Sequence, residues 1–159
     1  MRSLFAAALA IGLCLSARAA DVEFVRVWPG WEDADSFRRI SEYFTNVENT
    51  SGMIVLRSQP DDRSGYYFLV RVKHPQVALS GARFVLQYIA PNTQEPQDKT
   101  FKIDVPQGEQ VFDLGLTGKD WPAAHGHLIA WKLDLLSADG ITLATAQSFL
   151  WSKPPGNHD

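Results

Sequence analysis

The chain has 159 residues, of which 45% are hydrophobic, so it is long and apolar enough to form one domain with a single core. Its formal net charge is −3, and no stretch forms a basic block. This charge pattern argues against nucleic acid or an anionic membrane surface as a partner.

Residues 1–19 have the layout of a secretory signal peptide. Arg2 gives a short positive start, residues 4–15 form an apolar run, and Ala17 and Ala19 occupy the small-residue positions of a cleavage site. The apolar run is shorter than the roughly 20 residues that a transmembrane helix needs. We therefore predict cleavage after Ala19 and no membrane span afterwards.

Cleavage after Ala19, with Ala20 as the alternative, leaves a mature domain of residues 20–152 and a polar tail of residues 153–159. Cys14 is the only cysteine and is lost with the signal peptide. The mature domain would then have no disulfide, no thiolate metal site and no cysteine nucleophile, and its stability must come from packing. We predict an exported protein that is periplasmic or extracellular.

The mature chain reads as eight short strands with a turn signal between most neighbours. The clearest strand is residues 66–73, in which apolar side chains at even positions alternate with others that include Arg71 and Lys73. Pro29-Gly30 is predicted to end the first strand. The predicted strands are residues 22–28, 53–58, 66–73, 83–89, 101–105 and 110–116, followed by a hairpin within residues 127–151.

One helix is predicted between the first two strands, over residues 33–46. Asp33 or Asp35 can cap its first turn, because a short side-chain oxygen reaches the free amide hydrogens there. Its apolar residues recur with the spacing of one helical face. Part of the segment, residues 42–47, is also compatible with a strand. The residues of the predicted apolar face are Phe37, Ile40, Phe44 and Val47.

The last two strands form a predicted hairpin, because Asp139-Gly140 is a strong signal for a tight turn. A two-residue loop places Leu135 opposite Ala144, whereas a three-residue loop that ends at Gly140 places Leu135 opposite Leu143. We predict the second register, because it collects the large apolar side chains of both strands on one face.

Regularly spaced short strands with alternating faces indicate an all-β fold. We predict an antiparallel β-sandwich of about eight strands with one short helix near the N-terminus. This architecture resembles immunoglobulin-like and fibronectin type III-like sandwiches. The cysteine pair of immunoglobulin domains is absent, and a resemblance at the level of the fold does not identify a function.

Three of the five tryptophans lie in predicted loops or at the end of a predicted strand, and they are Trp28, Trp31 and Trp121. Exposed tryptophans can form a stacking platform for a sugar ring or a proline-rich peptide. They can also close the ends of a sandwich as apolar plugs, which is the commoner role. These three residues are the predicted ligand-binding set.

His125 and His127 are the predicted metal ligands. Alternate residues of an extended chain project to one side, so the two imidazoles could share a copper or zinc ion. Such a site needs a third or fourth ligand. The alternative interpretation is two polar residues at the entrance of a strand.

We predict a small non-catalytic protein that acts as a binding or accessory module of the cell envelope or secreted fraction. Its expected ligand is an envelope protein or a glycan, and no cofactor is expected. One alternative is a periplasmic metal-binding protein that uses His125 and His127. The other is a hydrolase. Its acid and base would come from His125 or from two acidic pairs, Asp33 with Asp35 and Asp61 with Asp62.

Overall fold

The computed structural model describes residues 22–74, 76–93, 95–121 and 126–152. Within them the chain forms eight strands in two four-stranded sheets, so the predicted β-sandwich is confirmed. The predicted signal peptide, residues 1–19, and the predicted tail, residues 153–159, lie outside the described residues.

The strands in chain order are β1 (Glu23–Glu32), β2 (Ile54–Arg57), β3 (Gly65–His74), β4 (Leu79–Ile89), β5 (Gln97–Val105), β6 (Gly108–Thr117), β7 (Ala130–Leu136) and β8 (Thr142–Gln147). The helical elements are α1 (Glu42–Thr45), α2 (Phe149–Ser152) and two 3-10 turns, Ala34–Phe37 and Gly118–Asp120. One sheet has the strand order β1-β3-β6-β2, and the other has the order β5-β4-β7-β8.

With β2 set aside, the two sheets correspond to the A-B-E and C′-C-F-G sheets of an immunoglobulin-like sandwich. β2 lies at the edge of the first sheet and pairs with β6 in parallel, whereas the other strand pairs are antiparallel. The first sheet is therefore mixed, which the sequence did not predict.

The core lies between the sheets and contains the apolar side chains that alternate along each strand. Phe84 of β4 and Phe112 of β6 are fully buried, and their ring centroids lie 5.1 Å apart across the two sheets. Phe68 of β3 contacts Trp131 of β7 in a similar way, with centroids 5.4 Å apart. Burial of each such side chain stabilises the fold by about 1.5–3 kcal/mol, so these contacts join the two sheets.

β1 continues through Pro29-Gly30, although this pair of residues predicts the end of the strand. Pro29 lies opposite Phe68 of β3, and the strand reaches Glu32. An edge strand tolerates proline, because one side of it has no neighbour that needs the missing amide hydrogen. The extension places Trp31 in a strand rather than in a loop.

The prediction of one helix over residues 33–46 is wrong. Asp33 does cap a turn, since its Oδ1 accepts a hydrogen bond from the backbone N–H of Ser36 at 2.8 Å, but this 3-10 turn ends at Phe37. The chain is extended at Arg38, and Asn46 ends α1 in the left-handed conformation, with φ 52°. Of the predicted apolar face, Phe37 packs on the sheet, and the exposed members are Ile40, Phe44 and Val47.

The predicted hairpin register is wrong, although the predicted three-residue loop is present. The N–H of Ser137 donates to the carbonyl of Ile141 at 2.9 Å across this loop. A bulge then shifts the pairing by one residue, so that Leu135 lies opposite Ala144 rather than Leu143. The shift puts the small side chain of Ala144 opposite the fully buried Leu135.

Candidate functional site

The connection between β1 and β2 crosses the outer face of the first sheet. These strands lie at opposite edges of the sheet, so residues 33–53, here called the crossing segment, pass over β3 and β6. The Phe37 ring of this segment packs on Tyr67, with centroids 4.7 Å apart. Tyr67 points away from the core, because its neighbours along β3 point into it.

Charged side chains fasten the crossing segment to the sheet. Arg57 of β2 donates from Nη1 to Oε2 of Glu48 at 2.8 Å, and from Nε to the Tyr67 hydroxyl at 2.9 Å. That hydroxyl donates to the carbonyl of Arg63 at 2.7 Å, and the Arg63 guanidinium pairs with Glu42 at 2.9 Å. These ion pairs hold the segment in place of the apolar helical stripe that the sequence predicted.

The same contacts shift the ionisation of the groups that make them. The hydrogen bond between Arg57 and Glu48 lowers the pKa of Glu48 and raises the pKa of Arg57. Burial raises the pKa of Tyr67 to about 12. At neutral pH Arg57 and Glu48 are therefore both ionised, and their charges cancel. The Tyr67 hydroxyl keeps its proton.

A glycine beneath the Tyr67 ring lets this side chain approach the sheet closely. Gly115 of β6 is the cross-strand neighbour of Tyr67, and a β-carbon at Gly115 would overlap the tyrosine ring. Without that carbon, the ring lies between the backbone of β6 and the ring of Phe37. Tyr67 thus has a fixed position from which its hydroxyl reaches Arg57.

A cleft of about 330 Å³, here called the outer cleft, lies between β1 and the crossing segment. This volume is at the low end of the range found for ligand pockets. Trp28 and Glu32 of β1 line one side, and Phe37 and Arg39 of the crossing segment line the other. The lining also includes Met53, Tyr67, Leu69 and Asp113.

Asp113 lies at the base of the outer cleft. Its neighbours along β6, Phe112 and Leu114, point into the core, so the Asp113 side chain points to the outer face. It is nevertheless only 6% exposed, because the crossing segment passes over this face. Within the residues that the structure describes, its carboxyl group makes no hydrogen bond or ion pair with another protein group.

The other two buried polar side chains of the described chain have partners. The Thr117 hydroxyl donates to a backbone carbonyl at 2.9 Å. Asp134 accepts a hydrogen bond from the Thr145 hydroxyl at 2.6 Å and pairs with Lys132 at 2.9 Å. The indole Nε1 of Trp121, at the second cleft, is also buried without a hydrogen-bond partner among the described residues. Because polar side chains with so little exposure are normally bonded to the protein, and because Asp113 is the ionisable one that is not, we take the outer cleft as the candidate site.

The pKa of the Asp113 carboxyl group is raised to about 6, first by burial and then by the charge of Glu32, while Arg57 acts in the opposite direction. Of these three causes, Arg57 contributes least. An ordinary aspartic acid has a pKa of about 3.9 and is fully ionised at neutral pH. Asp113 instead changes its charge close to neutral pH, which suits a group that responds to a ligand.

Trp28 is the predicted ligand-binding tryptophan that lies in the outer cleft. Its side chain is 48% exposed on the outer face of β1. The Arg26 guanidinium lies over the indole, 3.6 Å from the ring centroid, in a cation–π contact. The indole therefore already contacts one cation and also forms a wall of the cleft.

Trp31 and Trp121 lie elsewhere, at one end of the sandwich. Trp31 is three residues from Trp28 in the same strand, so it points to the opposite face of the sheet. Trp121 is 5% exposed and packs on Tyr66, with ring centroids 4.9 Å apart, as a plug would. Both tryptophans line a second cleft of about 470 Å³, together with Arg38, Asp61 and Asp62. The three tryptophans thus do not form one platform.

The predicted metal ligands are only partly described. His127 is exposed just before β7, and His125 lies outside the described residues. Across residues 22–74, 76–93, 95–121 and 126–152, no group of three or more His, Cys, Asp or Glu side chains could hold a metal ion. The site at His125 and His127 stays a prediction.

Asp113 and Tyr67 are site residues that the sequence did not predict. In the alternating stretch QVFDLGL, Asp113 occupies an outward position, which is where a solvated side chain is expected. The available signal was Gly115, because a glycine inside a strand often marks the close approach of another group.

No known protein family matches the chain, and no curated protein is significantly similar to it. No helix in the part of the chain that the structure describes is long and apolar enough to cross a membrane. The chemistry of the outer cleft is therefore the indication of function that this chain offers.

Proposed function

We propose that the protein is an exported, non-catalytic binding module whose ligand site is the outer cleft. The observation that carries this proposal is the carboxyl group of Asp113, which has no protein partner among the described residues, in a cleft that the exposed indole of Trp28 also lines. A buried polar group without a partner costs about 1–3 kcal/mol, and a ligand that supplies the partner recovers this free energy. The predicted partners, an envelope protein or a glycan, both present polar groups on apolar surfaces.

The rigidity of the outer cleft supports a role in binding. Its base and one wall belong to β1, β3 and β6, and Tyr67 is fixed by two hydrogen bonds and by the ring of Phe37. A site that is already ordered loses little conformational entropy when a ligand binds. Export is proposed from the sequence pattern of residues 1–19.

Ligand-observed NMR with fragments of three classes, amines, sugars and carboxylates, tests this proposal. We expect saturable binding by at least one class, and we expect Trp28→Ala to weaken it by about tenfold, because the indole is the exposed wall of the cleft. Phe149→Ala is the matched control, since Phe149 is an aromatic side chain that is 82% exposed and does not line the cleft. Binding that is absent, or equally strong in Trp28→Ala, contradicts the proposal.

A hydrolase is the second candidate, because the outer cleft contains two carboxyl groups, those of Asp113 and Glu32. An acid that keeps its proton up to about pH 6, beside a second carboxylate, is the combination that cleaves glycosidic bonds. Turnover of aryl glycosides that declines above about pH 6, and that both Asp113→Asn and Glu32→Gln abolish, would favour this candidate. Lack of turnover across a panel of sugars rejects it and leaves the binding proposal in place.

A further inference from the structure

We propose that the ligand of the outer cleft is a monovalent organic cation, an ammonium or guanidinium group on an apolar stem, with Asp113 as its counter-ion. This inference rests on the proposed function of the outer cleft and names the class of ligand. It follows from the charges around Asp113, from the aromatic side chains that line the cleft, and from the lack of a protein partner for the Asp113 carboxyl group in the part of the chain that the structure describes.

The charges around Asp113 do not balance. Arg57 is neutralised by Glu48, and Tyr67 keeps its proton, so neither supplies a free charge to the cleft. Two carboxylates, Asp113 and Glu32, and one cation, Arg39, line the cleft. Among these lining residues one negative charge is in excess when Asp113 is ionised, and Arg26 lies outside the lining, over the indole of Trp28. The ionisable groups around the cleft are Glu32 and Arg26 on β1, Arg57 on β2, Tyr67 on β3 and Arg39 on the crossing segment.

The lining of the cleft favours a cation over an anion or a neutral ligand. An anion would be repelled by both carboxylates, and a neutral ligand would leave the buried charge of Asp113 without a counter-ion. Two of the aromatic rings already contact guanidinium groups of the protein itself. Arg26 lies over Trp28 at 3.6 Å, and Arg57 lies over Phe37 at 5.0 Å. Apolar side chains that would contact the ligand stem are Trp28, Met53 and Leu69.

Calorimetry with n-pentylammonium, and with n-pentanol as the uncharged ligand of similar shape, tests the inference. At about pH 8 we expect the amine to bind at least about tenfold more tightly, because only the amine supplies a charge-assisted hydrogen bond. Asp113→Asn should remove this advantage. Glu32→Gln is the matched control, and it should weaken binding less, because Glu32 is not at the base of the cleft.

Binding of the cation should release a proton from Asp113. Below about pH 6 the carboxyl group is protonated and must ionise to pair with the amine, so affinity should rise up to about tenfold per pH unit between about pH 4 and pH 6 and level off above. Calorimetry in two buffers with different ionisation enthalpies measures the released proton. In Asp113→Asn this rise of up to about tenfold per pH unit should be lost. An affinity of the wild-type protein that is independent of pH overturns the inference.

Arg39→Ala provides an independent variant that leaves Asp113 intact. We expect it to tighten binding of pentylammonium by about two- to threefold, because it removes a like charge near the site. Weaker binding of the amine by this variant, or tighter binding of a carboxylate by the wild-type protein, overturns the inference. Circular dichroism confirms that each variant is folded before it is compared.

Two sources of the cation are distinguished by a second probe, Nα-acetyl-lysine N-methylamide, which mimics a lysine within a protein chain. Binding as tight as that of pentylammonium supports a protein side chain as the source, and binding of pentylammonium alone supports a small free amine. If Trp28→Ala weakens the binding of sugars or carboxylates while amines do not bind, the inference is wrong and the proposed function stands. If no class binds in a manner that depends on Trp28, both fail.

Discussion

Asp113→Asn is expected to raise the free energy of unfolding at about pH 8 and to leave it nearly unchanged at about pH 3.5. The pKa of Asp113 in the folded protein, about 6, exceeds its ordinary value of 3.8, so the folded state binds this proton more tightly than the unfolded chain. The stability that results is fully present below pH 3.8 and is lost as the pH rises through about 6. At about 1.4 kcal/mol per pH unit the loss is about 3 kcal/mol. Asparagine avoids this loss, because it carries no charge.

Urea unfolding at several pH values measures this effect, and Asp134→Asn is its control. Asp134 is similarly buried, but it accepts a hydrogen bond from Thr145 and pairs with Lys132. Its replacement should therefore lower the free energy of unfolding at about pH 8 by about 1–3 kcal/mol. If Asp113→Asn destabilises the protein at this pH as Asp134→Asn does, the Asp113 carboxyl group has a partner in the folded protein. The outer cleft then contains no unpaired carboxyl group at its base.

Gly115→Ala is expected to lower the free energy of unfolding by about 1–3 kcal/mol. The added β-carbon would overlap the ring of Tyr67, so the ring must move away from β6. Its hydroxyl would then lose the position from which it accepts from Arg57 and donates to the carbonyl of Arg63. Because these bonds hold the crossing segment on the sheet, the crossing segment should also pack less closely over Asp113.

Gly30→Ala is the matched control for this substitution. Gly30 lies beside Tyr67 on the other side, in β1, and nothing lies within 4 Å of the place its β-carbon would occupy. We expect the free energy of unfolding of the Gly30→Ala variant to stay within about 0.5 kcal/mol of the wild-type value. Equal destabilisation by the two variants, measured by urea unfolding, would mean that Tyr67 does not pack on β6 as described.

Alternation of apolar residues was sufficient to predict the sandwich, because inward positions such as Phe68, Phe112 and Leu114 decide which face of a strand is buried. The same signal failed for the last hairpin. It favoured the pairing of Leu135 with Leu143, but a bulge places Ala144 there. The bulge sets this register, and alternation of apolar residues does not reveal a bulge.

The outer cleft could not be predicted from local patterns, because long-range contacts create it. The crossing segment is fastened by Glu48 to Arg57, which are nine residues apart, and by Glu42 to Arg63, which are 21 residues apart. Neither spacing belongs to a helix or a strand. Asp113 alternates with core residues along β6, so the sequence predicts a solvent-exposed side chain. It is buried because β1 and β2 lie at opposite edges of the sheet, and the segment that joins them crosses this face.

The claim on which the proposals depend is that the Asp113 carboxyl group is buried and unpaired beneath the outer cleft. NMR titration of its side-chain carboxyl carbon, assigned by comparison with Asp113→Asn, measures the pKa of this group directly. We expect a value of about 6. A value at or below about 3.9, the ordinary value for aspartic acid, would mean that the carboxylate is solvated or paired, and it would contradict the claim.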